Sequence, residues 1–442
     1  MSSIIVSMRH CILPAALLFC LLTYGQCGEL SVTRMGNGLT LIVQEDHATD
    51  LVGVAVWVKA GSGSESASNN GVSHLIEHMV FGATAKRKPG DMDLEIESVG
   101  ATLDAYTSRD WARFTTTVSS RYLPKALDIL ADAVSGAQFR EGDVAREKFV
   151  ILDEIAKRDS DPFQVCTDLL ATELYGSHPY ALPIEGTRDS IRKIANADIL
   201  DYYHKYFVPG NMAVVLIGDI DAERAVAEVG RAFQGAPSGP PPEHPARELN
   251  PPAQQVNRFI NAPFRNDYLA IGFLGPRGSD HADVCATDVL LTYLGFGYRS
   301  WMATELKGKL ALASEVQADF LTQRDPGLIS LMAATATSNL VQAKGSIFAR
   351  IAGLRSAGVS DAELEIAKRS LLGQYAFQSE TVAGRATNYG FYFSASDAQF
   401  AAKYPECAQA VTNEDIIRVA RKYLDPGRAV VLTVGPDQGG PK

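Results

Sequence analysis

Two stretches of the chain decide its fold, "NADILDYYHKYFVPGNMAVVLIGD" at residues 196–219 and "NEDIIRVARKYLDPGRAVVLTVGP" at residues 413–436. They align at a fixed offset of 217, with identical residues at seven positions from the pair Asn196/Asn413 to the pair Gly210/Gly427. Each stretch has the pattern of a helix, a Pro-Gly turn and an apolar strand. We therefore predict two similar halves that close with the same three elements.

A proline-rich segment lies between the two repeats. Residues 234–254 contain seven prolines among 21 residues, a composition that is typical of an extended linker. The predicted boundaries are 29–233 for the first domain and 255–442 for the second. The predicted fold class is α+β, with two similar domains that are each a mostly antiparallel sheet packed with helices.

The N-terminal residues 1–27 have the features of a secretory signal peptide. Arg9 precedes an apolar run from Cys11 to Leu22, and small and polar residues follow it. This run is too short for a membrane-spanning helix, and the rest of the chain has no apolar stretch of about 18 residues. We expect an exported protein without a membrane span, located in the periplasm.

Composition excludes some classes of function. The chain has 442 residues, of which 46% are hydrophobic, and a net charge of −10. That charge argues against nucleic-acid binding, which needs a basic face to neutralise phosphates. Beyond the signal peptide only Cys166, Cys285 and Cys407 remain, far apart in sequence. We expect free thiols and no disulfide framework.

The segment "GVSHLIEHMVFGA" at residues 71–83 carries polar chemistry on an apolar helix. At 100° per residue, His74, Glu77 and His78 fall on one face, and apolar residues fill the rest of the circumference. Two histidines four residues apart can reach one metal ion, and a zinc hydrolase needs a third protein ligand while keeping one position open for water. Glu77, beside a ligating histidine, is placed to act as general base.

The third ligand is predicted in the helical segment "EGDVAREKFVILDEIAKRDSDP", residues 141–162. Glu147 and Glu154 are seven residues apart and therefore point within about 20° of each other. Their helix has an apolar arc that includes Phe149 and that we expect to be buried. We predict one zinc ion per chain, with Glu154 as ligand and Glu147 as a supporting carboxylate. At the repeat offset, residues 291–295 read "LTYLG", so the second domain has no metal site.

The motifs "HLIEHMVFGAT", "FVILDEIAKRDSDP" and "HPYALPIEGTRDSI" resemble the pitrilysin and mitochondrial processing peptidase family of inverted-motif zinc peptidases, in its bacterial two-domain type. The resemblance implies zinc ligands at His74, His78 and Glu154, a catalytic base at Glu77 and an auxiliary glutamate at Glu147. The implied activity is that of a metalloendopeptidase acting on extended or unfolded peptides.

The resemblance also implies how a peptide substrate is held. In this family an extended peptide adds as a strand to a sheet edge near the zinc, and the corresponding segment here reads "GATLDAYTSRD". Asp104 and Ala105 are the implied substrate contacts. Asp104 stands where the family pattern usually has asparagine.

The chain departs from the family pattern at two positions that bear on whether it needs a partner subunit. Active relatives bring an Arg and a Tyr, seven residues apart, from a second-half domain to the scissile bond. Lys307 and Ser314 stand at those positions here. Arg385 and Tyr389 lie four apart on a predicted helix, where we expect both on its surface.

Three interpretations follow for the assembly. The first is a heterodimer with a homologous subunit that supplies the Arg and Tyr. The second is a self-sufficient homodimer. The third is a non-catalytic structural core subunit, which is disfavoured because the motif residues His74, Glu77, His78 and Glu154 are all present.

Overall fold

The computed structural model describes residues 28–237, 239–244 and 248–436, so the predicted signal peptide lies outside the described residues. The predicted α+β class is confirmed: two β-sheets, one from each half of the chain, carry helices on their faces. None of the helices in the described ranges is long and apolar enough to cross a membrane.

The first sheet has the strand order β1-β2-β6-β3-β5-β4. Strand β2 pairs parallel with β6, and the other neighbours pair antiparallel. The strands are β1 Ser31–Arg34, β2 Thr40–Glu45, β3 Leu51–Val58, β4 Asp104–Thr107, β5 Ala112–Ser119 and β6 Met212–Gly218. The helices of this half are α1 Val72–Met79, α2 Asp91–Glu97, α3 Leu123–Gly136, α4 Glu141–Asp159, α5 Pro162–Tyr175, α6 Arg188–Lys193, α7 Asn196–Tyr206 and α8 Ala222–Ala232.

The second sheet has the order β7-β11-β8-β10-β9, with β7 and β11 parallel. Its strands are β7 Val256–Asn261, β8 Asp267–Leu274, β9 Glu315–Leu321, β10 Leu328–Thr335 and β11 Val430–Gly435. The helices of this half are α9 His281–Gly295, α10 Leu340–Ala357, α11 Asp361–Ser379, α12 Val382–Ala395, α13 Ala398–Ala410 and α14 Asn413–Tyr423, and Met302–Lys309 is a π-helical segment.

The predicted repeat is visible as a repeated arrangement of elements. Helices α7 and α14 both have 11 residues, and they begin at the paired positions Asn196 and Asn413. A turn at Pro209–Asn211 or Pro426–Arg428 leads from each helix into a buried strand, β6 or β11, that returns to the interior of its sheet. This closing strand explains the mixed pairing, because it lies parallel to an early strand of its own half.

In each half of the chain, one helix packs on the sheet of the other half. Leu170 and Leu174 of α5 pack on the second sheet, so closely that a Cβ at Gly272 would lie 2.8 Å from Leu170. Helix α12 packs on the first sheet, where a Cβ at Gly390 would lie 2.0 Å from the Trp57 indole. Between the halves, the described residues of 234–254 form neither helix nor strand. The domain boundaries themselves stay a prediction.

The expectation of three free thiols is wrong. Cys285 on α9 and Cys407 on α13 form a disulfide with a Cα–Cα distance of 6.1 Å, and Cys166 is a buried free thiol. The two bonded cysteines are distant in sequence, so only the packing of α13 against α9 brings them together.

Candidate metal centre

Helix α1 places the polar motif at the surface of the first hydrophobic core. Gly71 precedes it with φ of 93°, a backbone conformation that favours glycine. Leu75, Ile76 and Met79 are buried on the core side. The side chains of His74 and His78 are 12% and 15% exposed and lie on the opposite arc, as the helical spacing predicts.

Helix α4 brings Glu154 to both histidines. Its Oε2 atom lies 3.7 Å from His74 Nε2 and 3.4 Å from His78 Nε2. Ligand atoms about 2.0 Å from one tetrahedral zinc ion lie about 3.3 Å from each other. The distance from the carboxylate oxygen to each imidazole nitrogen is therefore close to the distance between two ligands of a single zinc ion.

The supporting carboxylate is also in place. Glu147 Oε2 lies 3.5 Å from His78 Nδ1, the ring nitrogen that faces away from the ligand cluster. A carboxylate at this position fixes the ring orientation and makes the opposite nitrogen a better metal ligand. His74 has no such support, because its buried Nδ1 has no hydrogen-bond partner among the described residues.

The electrostatics of the cluster favour metal binding and proton transfer. Burial, with a contribution from the nearby His78, lowers the pKa of His74 to about 4, so the ring is neutral at pH 7. Burial raises the pKa of Glu77, which moves this carboxyl toward the range of a general base at neutral pH. Glu77, His74 and His78 have ligand atoms within 4.8 Å of one another.

The start of α1 is held by a residue that the sequence analysis missed. The buried carboxylate of Glu65 accepts hydrogen bonds from Asn70 Nδ2, Gly71 N and Ser73 N, at 2.7 to 2.9 Å, and from the Ser73 hydroxyl. These bonds satisfy backbone N–H groups that a helix start leaves free. The available signal was a glutamate shortly before the motif helix, but its spacing fits no common capping pattern.

The predicted substrate strand is the outer strand of its sheet. Among the described strands β4 pairs with β5 alone, so its other edge has no strand neighbour and lies beside α1, against which β4 packs. Ala105 lies opposite Phe114 on β5. The exposed Asp104 carboxylate lies 3.7 Å from Arg113 Nη2. Arg113 also bonds Thr387 of α12, so this ion pair faces the side of the sheet on which α12 packs.

Two expectations about side-chain exposure are wrong. Phe149 on α4 is 72% exposed, because the helix buries Val144, Ile151 and Ile155 on a different arc. Arg385 and Tyr389 do not lie on a free helix surface, since α12 is enclosed between the two halves. Arg385 Nη2 pairs with Asp46 at 2.5 Å, and Tyr389 is buried.

The positions expected for the Arg and Tyr of active relatives lie at the outer strand of the second sheet. Lys307 is exposed in the π-helical segment, and Ser314 immediately precedes β9. The Ser314 backbone N–H bonds Ala334 O at 2.9 Å. Both positions are far in sequence from helices α1 and α4, and they belong to the other half of the chain.

Comparison with protein families gives two adjacent matches. The profile described as "Insulinase (Peptidase family M16)" matches residues 40–188, a range that contains His74, Glu77, His78, Glu147 and Glu154. The profile described as "Peptidase M16 inactive domain" matches residues 193–371.

Curated relatives and solved structures agree with this assignment. An uncharacterized zinc protease of Mycobacterium leprae is 29% identical over 347 residues, 77% of each chain. The uncharacterized zinc protease YmxG of Bacillus subtilis is 24% identical over 355 residues, 80% of this chain and 85% of that protein. A protease structure from Helicobacter pylori has a TM-score of 0.86 at 23% identity and covers 93% of this chain and 100% of its own, which shows a shared fold.

Proposed function

Because this chain belongs to the insulinase family of peptidases, family M16, we propose that it is an exported zinc metalloendopeptidase subunit that hydrolyses extended or unfolded peptides. One observation carries the proposal. The Nε2 atoms of His74 and His78 converge on one oxygen of Glu154 at 3.7 and 3.4 Å, a spacing that suits three ligands around one zinc ion.

The roles of the residues follow from their positions. Zinc held by His74, His78 and Glu154 would polarise the peptide carbonyl and acidify a water molecule. Glu77 takes the proton from that water, a role that its raised pKa suits. Glu147 keeps the His78 ring in its ligating orientation.

The peptide is proposed to lie along the free edge of β4, at Asp104 and Ala105. Backbone hydrogen bonds to an edge strand need an extended peptide and are tolerant of its sequence. Stable folded proteins present few such segments, so unfolded chains are the expected substrates.

A homologous partner subunit is proposed to complete the site. The chain offers Lys307 and Ser314 where an Arg and a Tyr would stabilise the oxyanion, and Ser is too short to replace a phenol. The exposed Phe149, on the helix that carries Glu154, is an apolar surface that a facing domain would cover. A homodimer is the alternative, and a structural subunit is disfavoured by the full set of ligands.

Export to the periplasm is supported by two features. Residues 1–27 have signal-peptide composition. The Cys285–Cys407 disulfide is of a kind that persists in oxidising compartments and is rare in the cytosol.

Metal analysis tests the proposal. The purified chain should hold about one zinc ion, and Glu154→Gln should lose most of it, because an amide oxygen is a poorer ligand than a carboxylate. The matched control is Asp153→Asn, which removes the same charge from the exposed neighbouring position. Full zinc occupancy in Glu154→Gln would remove Glu154 from the ligand set.

A further inference from the structure

A cavity of about 310 Å³ lies at the junction of the two halves, away from the zinc ligands. Helices α9, α11, α12 and α13 surround it, and strand β3 of the first sheet contributes to its wall. Its lining is unusually aromatic and includes Trp57, Trp111, Tyr375, Phe391, Tyr392 and Tyr404. A volume of this size holds one side chain or one small molecule.

Asp288 is the only charged residue that lines this cavity in the described part of the chain. One carboxylate oxygen, Oδ2, accepts a hydrogen bond from the Tyr404 hydroxyl at 2.7 Å. Among the described residues, the other oxygen has no hydrogen-bond donor, and no Lys, Arg or His pairs with this carboxylate. Burial accordingly raises the pKa of Asp288 to about 7.

The hydrogen bond from Tyr404 is the one hydrogen bond of the Asp288 side chain within the described part of the fold. Asp288 is in the interior of α9, where aspartate is a weak helix former, and residues on both sides of it are buried. Asp288 is half-buried, and a partly desolvated carboxylate without a cation is less favourable than a fully solvated one. The Trp57 indole N–H in the same wall also has no acceptor among the described residues.

The geometry points to a binding site for an organic cation, a primary ammonium or guanidinium group, that pairs with Asp288 and lies against the surrounding aromatic rings. Ring faces attract cations, and a carboxylate next to several rings combines both interactions in a desolvated site. The role is separate from peptide hydrolysis and stands without it.

Two sources of such a cation have access to the cavity. A neighbouring cleft of about 640 Å³ between β4 and β9 shares Trp111, Thr322 and Phe391 with it. Tyr106 of the substrate strand also lines that cleft, so a lysine or arginine of a peptide on β4 can extend toward Asp288. A free amine is the other source.

Tryptophan fluorescence tests the site, because two of the three tryptophans of the chain line the cavity. The chain is titrated with Nα-acetyl-lysine methylamide and with the neutral Nα-acetyl-norleucine methylamide. The lysine compound should bind about tenfold or more tightly, and Asp288→Asn should abolish that difference. Asp201→Asn, an exposed change of equal charge, is the control. Equal binding of both compounds to the unmodified chain overturns the site, whether or not Asp288→Asn folds.

A second arm identifies the source. The Glu77→Gln chain, which is not expected to cleave peptides, is offered blocked peptides that differ only in lysine or norleucine. A peptide source predicts about tenfold tighter binding of the lysine peptide and its displacement by the free lysine compound. A free-amine source predicts equal binding of the two peptides and saturation by the lysine compound alone. A Glu77→Gln chain that responds to neither lysine compound nor lysine peptide contradicts the proposal.

Discussion

Two helices of the first half have counterparts in the second half. Helix α1 corresponds to α9 and helix α4 corresponds to α11, but the two pairs carry different polar side chains. Helices α4 and α11 both have 19 residues. When their first residues are aligned, Ala367 and Gln374 of α11 stand in place of Glu147 and Glu154. At the repeat offset of 217, Leu291 of α9 stands in place of His74.

The difference shows which part of the sequence specifies the fold and which part specifies the chemistry. In each pair the two helices pack against each other, and the strand order of the two sheets is the same apart from the additional β1. In the first pair His74 and His78 lie 3.4 to 3.7 Å from one Glu154 oxygen, which is why we propose the three residues as the ligands of one ion. The second pair has no ionisable side chain at the corresponding positions, and its half-buried carboxylate, Asp288, lies three residues before Leu291.

The largest expected effect tests the first helix pair. Glu77→Gln should lower peptide hydrolysis by a factor of about 10² to 10⁴, because the water then has no base. Its zinc content should stay that of the unmodified chain, since we propose Glu77 as the base and not as a ligand. The measurement is the initial rate on an unstructured peptide together with metal analysis, with Asp153→Asn as control. An active Glu77→Gln chain would mean that the proton goes to another group.

The next effect concerns Lys307 and Ser314 of the second half, which stand where the proposal expects an Arg and a Tyr. Adding a homologous chain that carries the Arg and Tyr should raise the rate by a factor of about 10² to 10³ over this chain alone. The rates of each chain alone and of the mixture are compared. The double variant Lys307→Arg/Ser314→Tyr is the internal check, and it should recover part of this gain without a partner. Full activity of the single chain, unchanged by the partner, would favour the homodimer.

Much of the fold was predictable because it depends on periodic patterns. The stripe Leu123, Leu127, Leu130 and Val134 is fully buried on α3, as its spacing of 4, 3 and 4 indicates. The convergence of the histidines and Glu154 was also predictable in part, because the two histidines lie on one face of one helix and the two glutamates on one face of another. Sequence spacing determines such faces without knowledge of the neighbouring elements.

The features that were missed depend on contacts between distant elements. Phe149 belongs to an apolar arc of α4 whose Ile151 and Ile155 are buried, but Phe149 itself lies on the solvent side of that arc. Arg385 and Tyr389 are enclosed because α12 packs on the other half's sheet, which no local pattern indicates. The disulfide between Cys285 and Cys407 and the cavity at Asp288 have the same origin, since their parts come from separated helices.

A smaller effect is expected at the start of α1. Glu65→Gln should weaken zinc binding by roughly tenfold, because residues that orient metal ligands have effects of this size when changed. The amide keeps one acceptor oxygen and places an NH₂ group against N–H and O–H donors. Zinc affinity is measured by competition with a chelator, and Glu97→Gln, on the exposed end of α2, is the control. An unchanged affinity together with an unchanged Tm would show that the α1 start does not need this carboxylate.

The smallest expected effect is on stability and concerns the second helix pair. The folded pKa of Asp288, about 7, is above its ordinary value of 3.8, so the folded chain holds this proton more tightly than the unfolded chain. The protonated form of Asp288 therefore contributes fully to stability below the ordinary pKa of 3.8, and this contribution is lost as the pH rises through about 7. Tyr392 and Tyr404 are the other titratable groups that face it, and burial raises the pKa of both, so they stay protonated in this range.

Asp288→Asn removes the titration while it keeps the packing. The amide does not titrate, and its carbonyl oxygen can still accept a hydrogen bond from the Tyr404 hydroxyl. We compare the Tm of the variant minus the Tm of the unmodified chain at two pH values. This difference should be larger by a few degrees at pH 8 than at pH 5. Thermal unfolding of both chains at the two pH values, at one scan rate, is the measurement. A Tm difference between the two chains that does not change with pH would mean that Asp288 is already paired with a cation or proton donor. The two helix pairs would then differ only in the side chains that we propose as metal ligands.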